Sequence, residues 1–191
     1  MTAIQTRPSE LALPVGALSA LREALAAEVG DDGAARALRV AGSAAGTAMF
    51  RALVAGAGIA HEDEAAAREH LAGLAEERFW SALSAFFGSR GWGRLRFSAV
   101  HDGVGALDSA DWIEANTDVG AARPACFFTT GMLAGLLGRI TGREIAVLEV
   151  ECRSRGDGEC RFLFGSAHAL EALYAGIAAG RAVDASLSAL A

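Results

Sequence analysis

The chain has 191 residues, of which 52% are hydrophobic and 21% charged, a size and composition typical of one globular domain. Its formal net charge is -6 and it contains no run of basic residues, which argues against nucleic acid or a membrane as a partner. No apolar stretch is long enough to span a bilayer and the N-terminus lacks a secretion signal, so we expect a cytoplasmic protein. Its three cysteines should then be thiols or metal ligands.

The first half of the chain is predicted to be helical. We expect three amphipathic helices, separated by the Gly30–Gly33 turn and by the acidic turn at His61. Close packing against another backbone would explain Gly42 and Gly46 inside the second of them. The predicted helices cover residues 14–30, 34–57 and 61–87, after a mobile tail at residues 1–10 and within a single domain at residues 11–191.

The second half combines strands and helices. The alternation of polar and apolar residues from Arg94 to Val100 predicts a strand, and a weaker strand is expected from Asp111 to Thr117. A helix from Cys126 to Ile140 should precede a hairpin of two strands and a last helix capped by Ser166. The predicted fold is α+β, with an antiparallel sheet of about four strands packed against several helices in the order ααα-ββ-α-ββ-α.

The cysteines predict a metal site. In a hairpin centred near Gly156, Cys152 and Cys160 face one another at the mouth of the loop, and their thiols lie on the apolar face. Cys126 begins a helix, where the backbone N–H groups stabilise a thiolate. Sulfur ligands favour zinc. Spacing alone leaves three ordinary buried cysteines as an equal alternative.

The fourth ligand of this site is harder to predict. In the expected hairpin Val150 pairs with Phe162. Glu149 is the candidate ligand, but in a regular strand it points to the face opposite Cys152. Its participation therefore requires a bulge or a metal at the end of the strand. His101 is the substitute if Glu149 fails.

The segment from Val150 to Phe162, VECRSRGDGECRF, resembles the signature of the 4-vinyl-reductase-like (4VR) domain family, and the match extends back through Cys126 and the following helix. The resemblance implies a fold similar to that of TRAPP vesicle-tethering subunits, and a zinc ion held as in the family's phenol sensors. In those sensors a cysteine before a helix and a Glu-x-x-Cys-x7-Cys motif bind the zinc. The corresponding positions here are Cys126, Glu149, Cys152 and Cys160.

The same resemblance implies a pocket between helices and sheet for a hydrophobic or aromatic molecule. Trp112 corresponds to the tryptophan with which the phenol sensors recognise phenol, whereas the third helix has Glu77 to Trp80 where a histidine is expected. Aromatic side chains could line this pocket, although core packing is the simpler explanation for any one of them. The candidate ligand-binding residues are Trp80, Trp112, Phe79, Phe128 and His101.

The function we expect is that of a zinc-stabilised sensor, carrier or auxiliary factor without catalytic activity. No dinucleotide, P-loop or iron–sulfur signature is present to supply electrons to a reductase. Two alternatives remain open. One is a dimerisation or assembly module, since the TRAPP-like fold implies a homodimer; the other is a factor of the bacteriochlorophyll pathway related to 4-vinyl reductase.

Overall fold

The computed structural model describes residues 16–56, 63–118 and 120–190. The predicted tail at residues 1–10 and the predicted helix start at Pro14 lie outside these residues. The helices are α1 (Ala17–Gly56), α2 (Glu64–Ala72), α3 (Glu76–Gly88), α4 (Phe127–Thr141), α5 (Ala167–Ala178) and α6 (Val183–Leu187). The strands are β1 (Arg96–His101), β2 (Val104–Ser109), β3 (Ala146–Glu151) and β4 (Cys160–Gly165).

The predicted α+β class is confirmed. The strands form one antiparallel sheet in the order β1-β2-β4-β3, so that β1 and β3 are its edges. The long connection through α4 separates the β1-β2 hairpin from the β3-β4 hairpin. Because β4 pairs with both β2 and β3, this connection places the two hairpins side by side.

The helical half differs from the prediction in where its helices are interrupted. The first two predicted helices are joined in α1, with a local break at Gly30, whose φ of 74° and ψ of 165° are not helical. The third is divided instead, because α2 ends before Gly73 and α3 begins after Ala75, which has extended backbone.

The strand predicted at Asp111–Thr117 is wrong. The second strand is β2, which begins directly after the Asp102-Gly103 turn and pairs with both β1 and β4. All six residues of β2 are buried. A strand that is covered on both faces carries no polar–apolar alternation, which is the signal that the prediction used.

The glycines of α1 and α4 bring the two helices into backbone contact. A Cβ atom at Gly42 or Gly46 would collide with the α4 backbone, and one at Gly131 or Gly135 would collide with the α1 backbone. The expected reason for Gly42 and Gly46 is therefore confirmed. The same contact means that α1 covers the glycine face of α4 at Gly131 and Gly135.

Two hydrophobic clusters lie on opposite faces of the sheet. The larger contains α1, α3 and α4 residues together with the cysteines, whereas α5 and α6 cover the other face around Leu163 and Leu170. Alternate residues of β4, such as Phe162 and Leu163, point into different clusters, as the pleat of a strand requires. Among the described residues, no helix is long and apolar enough to cross a membrane.

Candidate metal centre and ligand cavity

Cys126 occupies the N-cap position of α4, as the sequence predicted, but its side chain does not cap the helix. Glu114 from the preceding loop accepts hydrogen bonds from the backbone N–H groups of Phe128 (2.9 Å) and Thr129 (2.7 Å). Since another side chain satisfies these helix N–H groups, the Cys126 thiol is left to face the hairpin.

Cys152 and Cys160 lie at the two ends of the β3-β4 connection, as predicted. A single 3-10 turn, Arg153–Arg155, follows Cys152, and Gly156 has the left-handed backbone (φ 99°) that reverses the chain. Asp157 stabilises this loop because its Oδ2 atom accepts hydrogen bonds from the Cys152 N–H (2.7 Å) and from Arg155 Nε (2.9 Å).

A β-bulge solves the problem of Glu149. The register of β3 on β4 shifts between Glu149 and Glu151, and Glu149 pairs with Phe162, not Val150 as the predicted register required. The extra residue places Glu149 on the same face as Cys152, three positions later. The Glu149 Oε2 atom accepts a hydrogen bond from the Cys126 N–H (2.8 Å), which links β3 to the start of α4.

The side chains of Cys126, Glu149, Cys152 and Cys160 form one buried cluster. Their potential ligand atoms all lie within 4.8 Å of one another. Cys126 Sγ is 3.9 Å from Cys152 Sγ and 4.0 Å from Cys160 Sγ. The buried Glu149 Oε1 atom has no hydrogen-bond partner among the described residues. Buried polar atoms are normally paired, so the arrangement fits a metal ion at this position.

The electrostatics of the cluster also favour a cation. The hydrogen bond to Cys152 raises the pKa of the Cys126 thiol, and burial raises the pKa of the Glu149 carboxyl. The thiols of Cys126 and Cys160 donate to Cys152 and lower its pKa. Without a cation these groups share protons instead of all carrying charge, and a divalent metal would replace those protons.

A ligand-sized cavity lies between α3 and the edge strand β1. Its volume is about 950 Å³, within the range of small-molecule sites. The Trp80 and Phe97 rings stack in its wall, with centroids 4.2 Å apart and planes 10° from parallel. The polar groups that line it belong to Glu76, Glu77, Ser81, Ser84, Arg94 and Ser98.

The predicted ligand residues do not all meet at this cavity. Phe79 packs edge-on against Trp80, which lines the cavity, with ring centroids 4.7 Å apart. Trp112 is completely buried and donates a hydrogen bond from Nε1 to Thr129 Oγ1 (2.7 Å). Phe128 stacks on Trp92, which also contacts Trp112.

His101 lies apart from these aromatic side chains. It lines a hollow of about 250 Å³ beside α6, where its Nδ1 atom is 3.0 Å from the Asp102 carbonyl oxygen. Its place at the end of β1 was predicted, and a ligand contact from it stays a prediction.

Glu114, Thr129 and Asp157 were missed by the sequence analysis. Each stabilises backbone beside a cysteine, but neither Glu114 nor Thr129 belongs to a recognisable motif. Asp157 offered a weak signal, since an aspartate after a turn glycine often binds nearby backbone N–H groups. The partner of Glu114 lies 14 residues away, so only the folded chain reveals their contact.

Comparison with known proteins agrees with the cysteine pattern. Residues 110–166 match the model of the vinyl-4-reductase (4VR) domain. The resemblance inferred from the cysteine segment is thus confirmed, and the matched segment contains all four residues of the cluster. An uncharacterized protein of Methanocaldococcus jannaschii is 29% identical over 83 residues, which cover 44% of each protein. The chain thus spans less than half of that relative's length.

Two solved structures share the fold. The phenol-responsive sensory domain of the transcription activator PoxR, determined with phenol, has a TM-score of 0.62 and 20% identity, covering 91% of this chain and 84% of that one. A vinyl-4-reductase family protein from Methanocaldococcus jannaschii has a TM-score of 0.52 and 17% identity, covering 82% and 83%. At these identities the similarity extends to the fold alone.

Proposed function

We propose that the chain is a metal-stabilised domain that binds a small hydrophobic or aromatic molecule and acts as a sensor, carrier or auxiliary factor. The α3–β1 cavity carries this proposal, because stacked aromatic rings form its wall and a few polar groups surround them. The PoxR sensory domain, which has the same fold, was determined with phenol. Residues 11–191 would act as one unit, since the two hydrophobic clusters share a single sheet.

Within this proposal, the candidate residues have different tasks. Trp80 would stack directly on the ligand, and Phe79 would hold the Trp80 ring from behind. Trp112 and Phe128 would support the cavity from the core through Trp92. Ser84 or Ser98 would donate a hydrogen bond to a ligand hydroxyl.

Titration of the purified protein with phenol and with a tetrapyrrole, followed by calorimetry, tests the proposal. We expect saturable binding of one class, and a loss of about tenfold or more in affinity for Trp80→Leu, since an aromatic stack is removed. Tyr174→Leu is the control because Tyr174 is an exposed aromatic residue on α5 and does not line the cavity. Failure of both ligands to saturate, or equal affinities of the two variants, would contradict the proposal.

Zinc is the metal that we propose for the cluster. Zinc–sulfur bonds of about 2.3 Å in a tetrahedron separate two sulfur atoms by about 3.8 Å. The observed separations of 3.9 Å and 4.0 Å are close to this value. Cys126, Cys152 and Cys160 would supply thiolates and Glu149 its unpaired Oε1 atom, which closes the site to water and makes it structural.

Elemental analysis of protein purified without added zinc tests the metal. We expect about one equivalent per chain in the parent, and much less in Cys152→Ser, whose free energy of unfolding should fall by several kcal/mol because the cluster loses a ligand. Ser154→Ala is a control from the same loop, since Ser154 is buried but contributes a hydrogen bond only to the Asn116 N–H. Metal below about a tenth of an equivalent in the parent would refute the site.

A homodimer is a second candidate role, and one feature of α1 favours it. Leu21, Val29 and Val40 are 48%, 57% and 72% exposed, an unusual cost for large apolar side chains on one helix. Burial of α1 against a second copy would remove this cost. Sedimentation analysis tests the idea, and a strict monomer at high protein concentration would contradict it.

A further inference from the structure

A basic hollow lies between α1, α2 and the C-terminal end of α4, away from both the cysteine cluster and the α3–β1 cavity. Its volume is about 680 Å³. Gly135, Gly138 and Gly142 line it without side chains, which leaves this space open. Three arginines surround it: Arg68, Arg139 and Arg143. We call this feature the arginine hollow.

The ion pairs of the arginine hollow leave positive charge unmatched. Arg68 and Arg139 share the carboxylate of Glu64, at 3.6 Å and 3.1 Å. Arg143 is exposed and has no ion-pair partner among the described residues. Glu144 also lines the hollow. One shared carboxylate and one further carboxylate therefore face three guanidinium groups, an excess of positive charge in a chain whose net charge is -6.

Hydroxyl donors add to the guanidinium groups. Ser43 and Thr47, one turn apart on α1, line the hollow opposite the α4 glycines. Within the described residues, neither hydroxyl makes a side-chain hydrogen bond, so both are available to a ligand. Arginine forks and hydroxyl groups around a recess are the donors that bind a phosphate or carboxylate group.

We propose that the arginine hollow binds an anionic small molecule through a phosphate or carboxylate group. Arg143 provides the cation without an internal partner, Arg68 and Arg139 provide guanidinium donors beside it, and Ser43 and Thr47 provide hydroxyls. The glycines allow the rest of the molecule to lie against α4. The negative end of the α4 dipole helps to hold Arg139 and Arg143 in place, but it does not supply the anion that Arg143 lacks. This site goes beyond the proposed binding of an aromatic ligand, with which it shares no residue.

Calorimetry of the full chain as purified, at low ionic strength, tests the site, with inorganic pyrophosphate and succinate as probes. We expect one probe to saturate, with an affinity that falls as salt is added, and the probe that binds identifies phosphate or carboxylate as the preferred group. Arg143→Ala should weaken that affinity by about tenfold or more because it removes a bidentate donor. Arg78→Ala is the control, since Arg78 is an exposed arginine on α3 that lines neither cavity.

Three results would overturn the proposal. They are the absence of saturable binding for both probes, equal affinities of Arg143→Ala and Arg78→Ala, and binding to phosphatidylserine vesicles without binding to either free anion. The last would make the hollow a lipid-headgroup contact. Because Arg143 is exposed, its substitution should leave the melting temperature within a few degrees of the parent, which a thermal scan checks.

Discussion

Glu114 is a buried carboxylate that stabilises the helix on which Cys126 lies. Its two oxygens accept hydrogen bonds from the Phe128 and Thr129 N–H groups and from the Thr129 hydroxyl, which in turn accepts one from Trp112. Burial nevertheless raises the pKa of Glu114 to about 7, although the Thr129 and Phe128 donors oppose the shift. At this position the helix N-terminus gains a cap at the cost of a desolvated charge.

We expect this carboxyl to give the protein a distinct pH dependence. Its pKa is raised from 4.5 when unfolded to about 7 when folded, so the folded state binds more protons between these values. Its stabilising contribution is complete below about pH 4.5 and is lost as the pH rises through about 7. Relative to Glu114→Gln, which does not titrate, the parent's free energy of unfolding should fall by about 3 kcal/mol over this interval.

Urea unfolding of the parent and Glu114→Gln at several pH values between about 4.5 and 8 measures this difference. A constant offset between the two proteins is compatible with the prediction, because glutamine also changes the cap. Parallel curves across the whole range would show that Glu114 is charged throughout and that the helix N–H groups outweigh burial.

At the scale of elements, the α1–α4 contact depends on missing side chains. Replacement of glycine by alanine inside a helix ordinarily stabilises it by about 1 kcal/mol. At Gly131 the added methyl group would collide with the Arg39 carbonyl oxygen. We therefore expect Gly131→Ala to reverse the usual sign and to lower the free energy of unfolding by about 1 to 3 kcal/mol.

Gly73→Ala is the matched control for this prediction. Gly73 has right-handed helical backbone (φ -76°, ψ -10°), and a Cβ atom there would lie no closer than 3.4 Å to its nearest neighbour, an ordinary contact. Chemical denaturation of both variants compares them directly. If Gly131→Ala were as stable as Gly73→Ala, the two helices would not be packed backbone to backbone.

The sequence predicted those features that depend on local pattern. Cysteine spacing and turn residues placed Cys126, Cys152 and Cys160 correctly, and the glycine spacing indicated a close helix crossing. Two features could not be read in this way. The fully buried β2 has no alternation, and the bulge that turns Glu149 toward the cysteines arises from pairing with β4. Both depend on what covers or pairs with a strand, which sequence periodicity does not record.

At the scale of the whole molecule, the cysteine cluster joins elements that are far apart in the chain. Cys126 belongs to the start of α4, Glu149 and Cys152 to β3 and its end, and Cys160 to the start of β4. Because α4 is packed backbone to backbone on α1, a metal in the cluster would stabilise the helical layer on one face of the sheet. The α5–α6 layer lies on the other face and contributes nothing to the cluster.

Removal of the metal should therefore loosen the molecule unevenly. We expect a chelator to increase amide hydrogen exchange most strongly in residues 126–130 and 152–160, next in the α1–α4 crossing, and least in α5, whose Leu170 and Leu173 pack against the opposite face. One equivalent of zinc should restore the original protection, because binding to the folded state alone stabilises it. Mass spectrometry of pepsin fragments resolves these segments. An equal increase in α5 and α4 would mean that the two layers unfold together, and the absence of any increase would mean that the cluster does not depend on a metal for its stability.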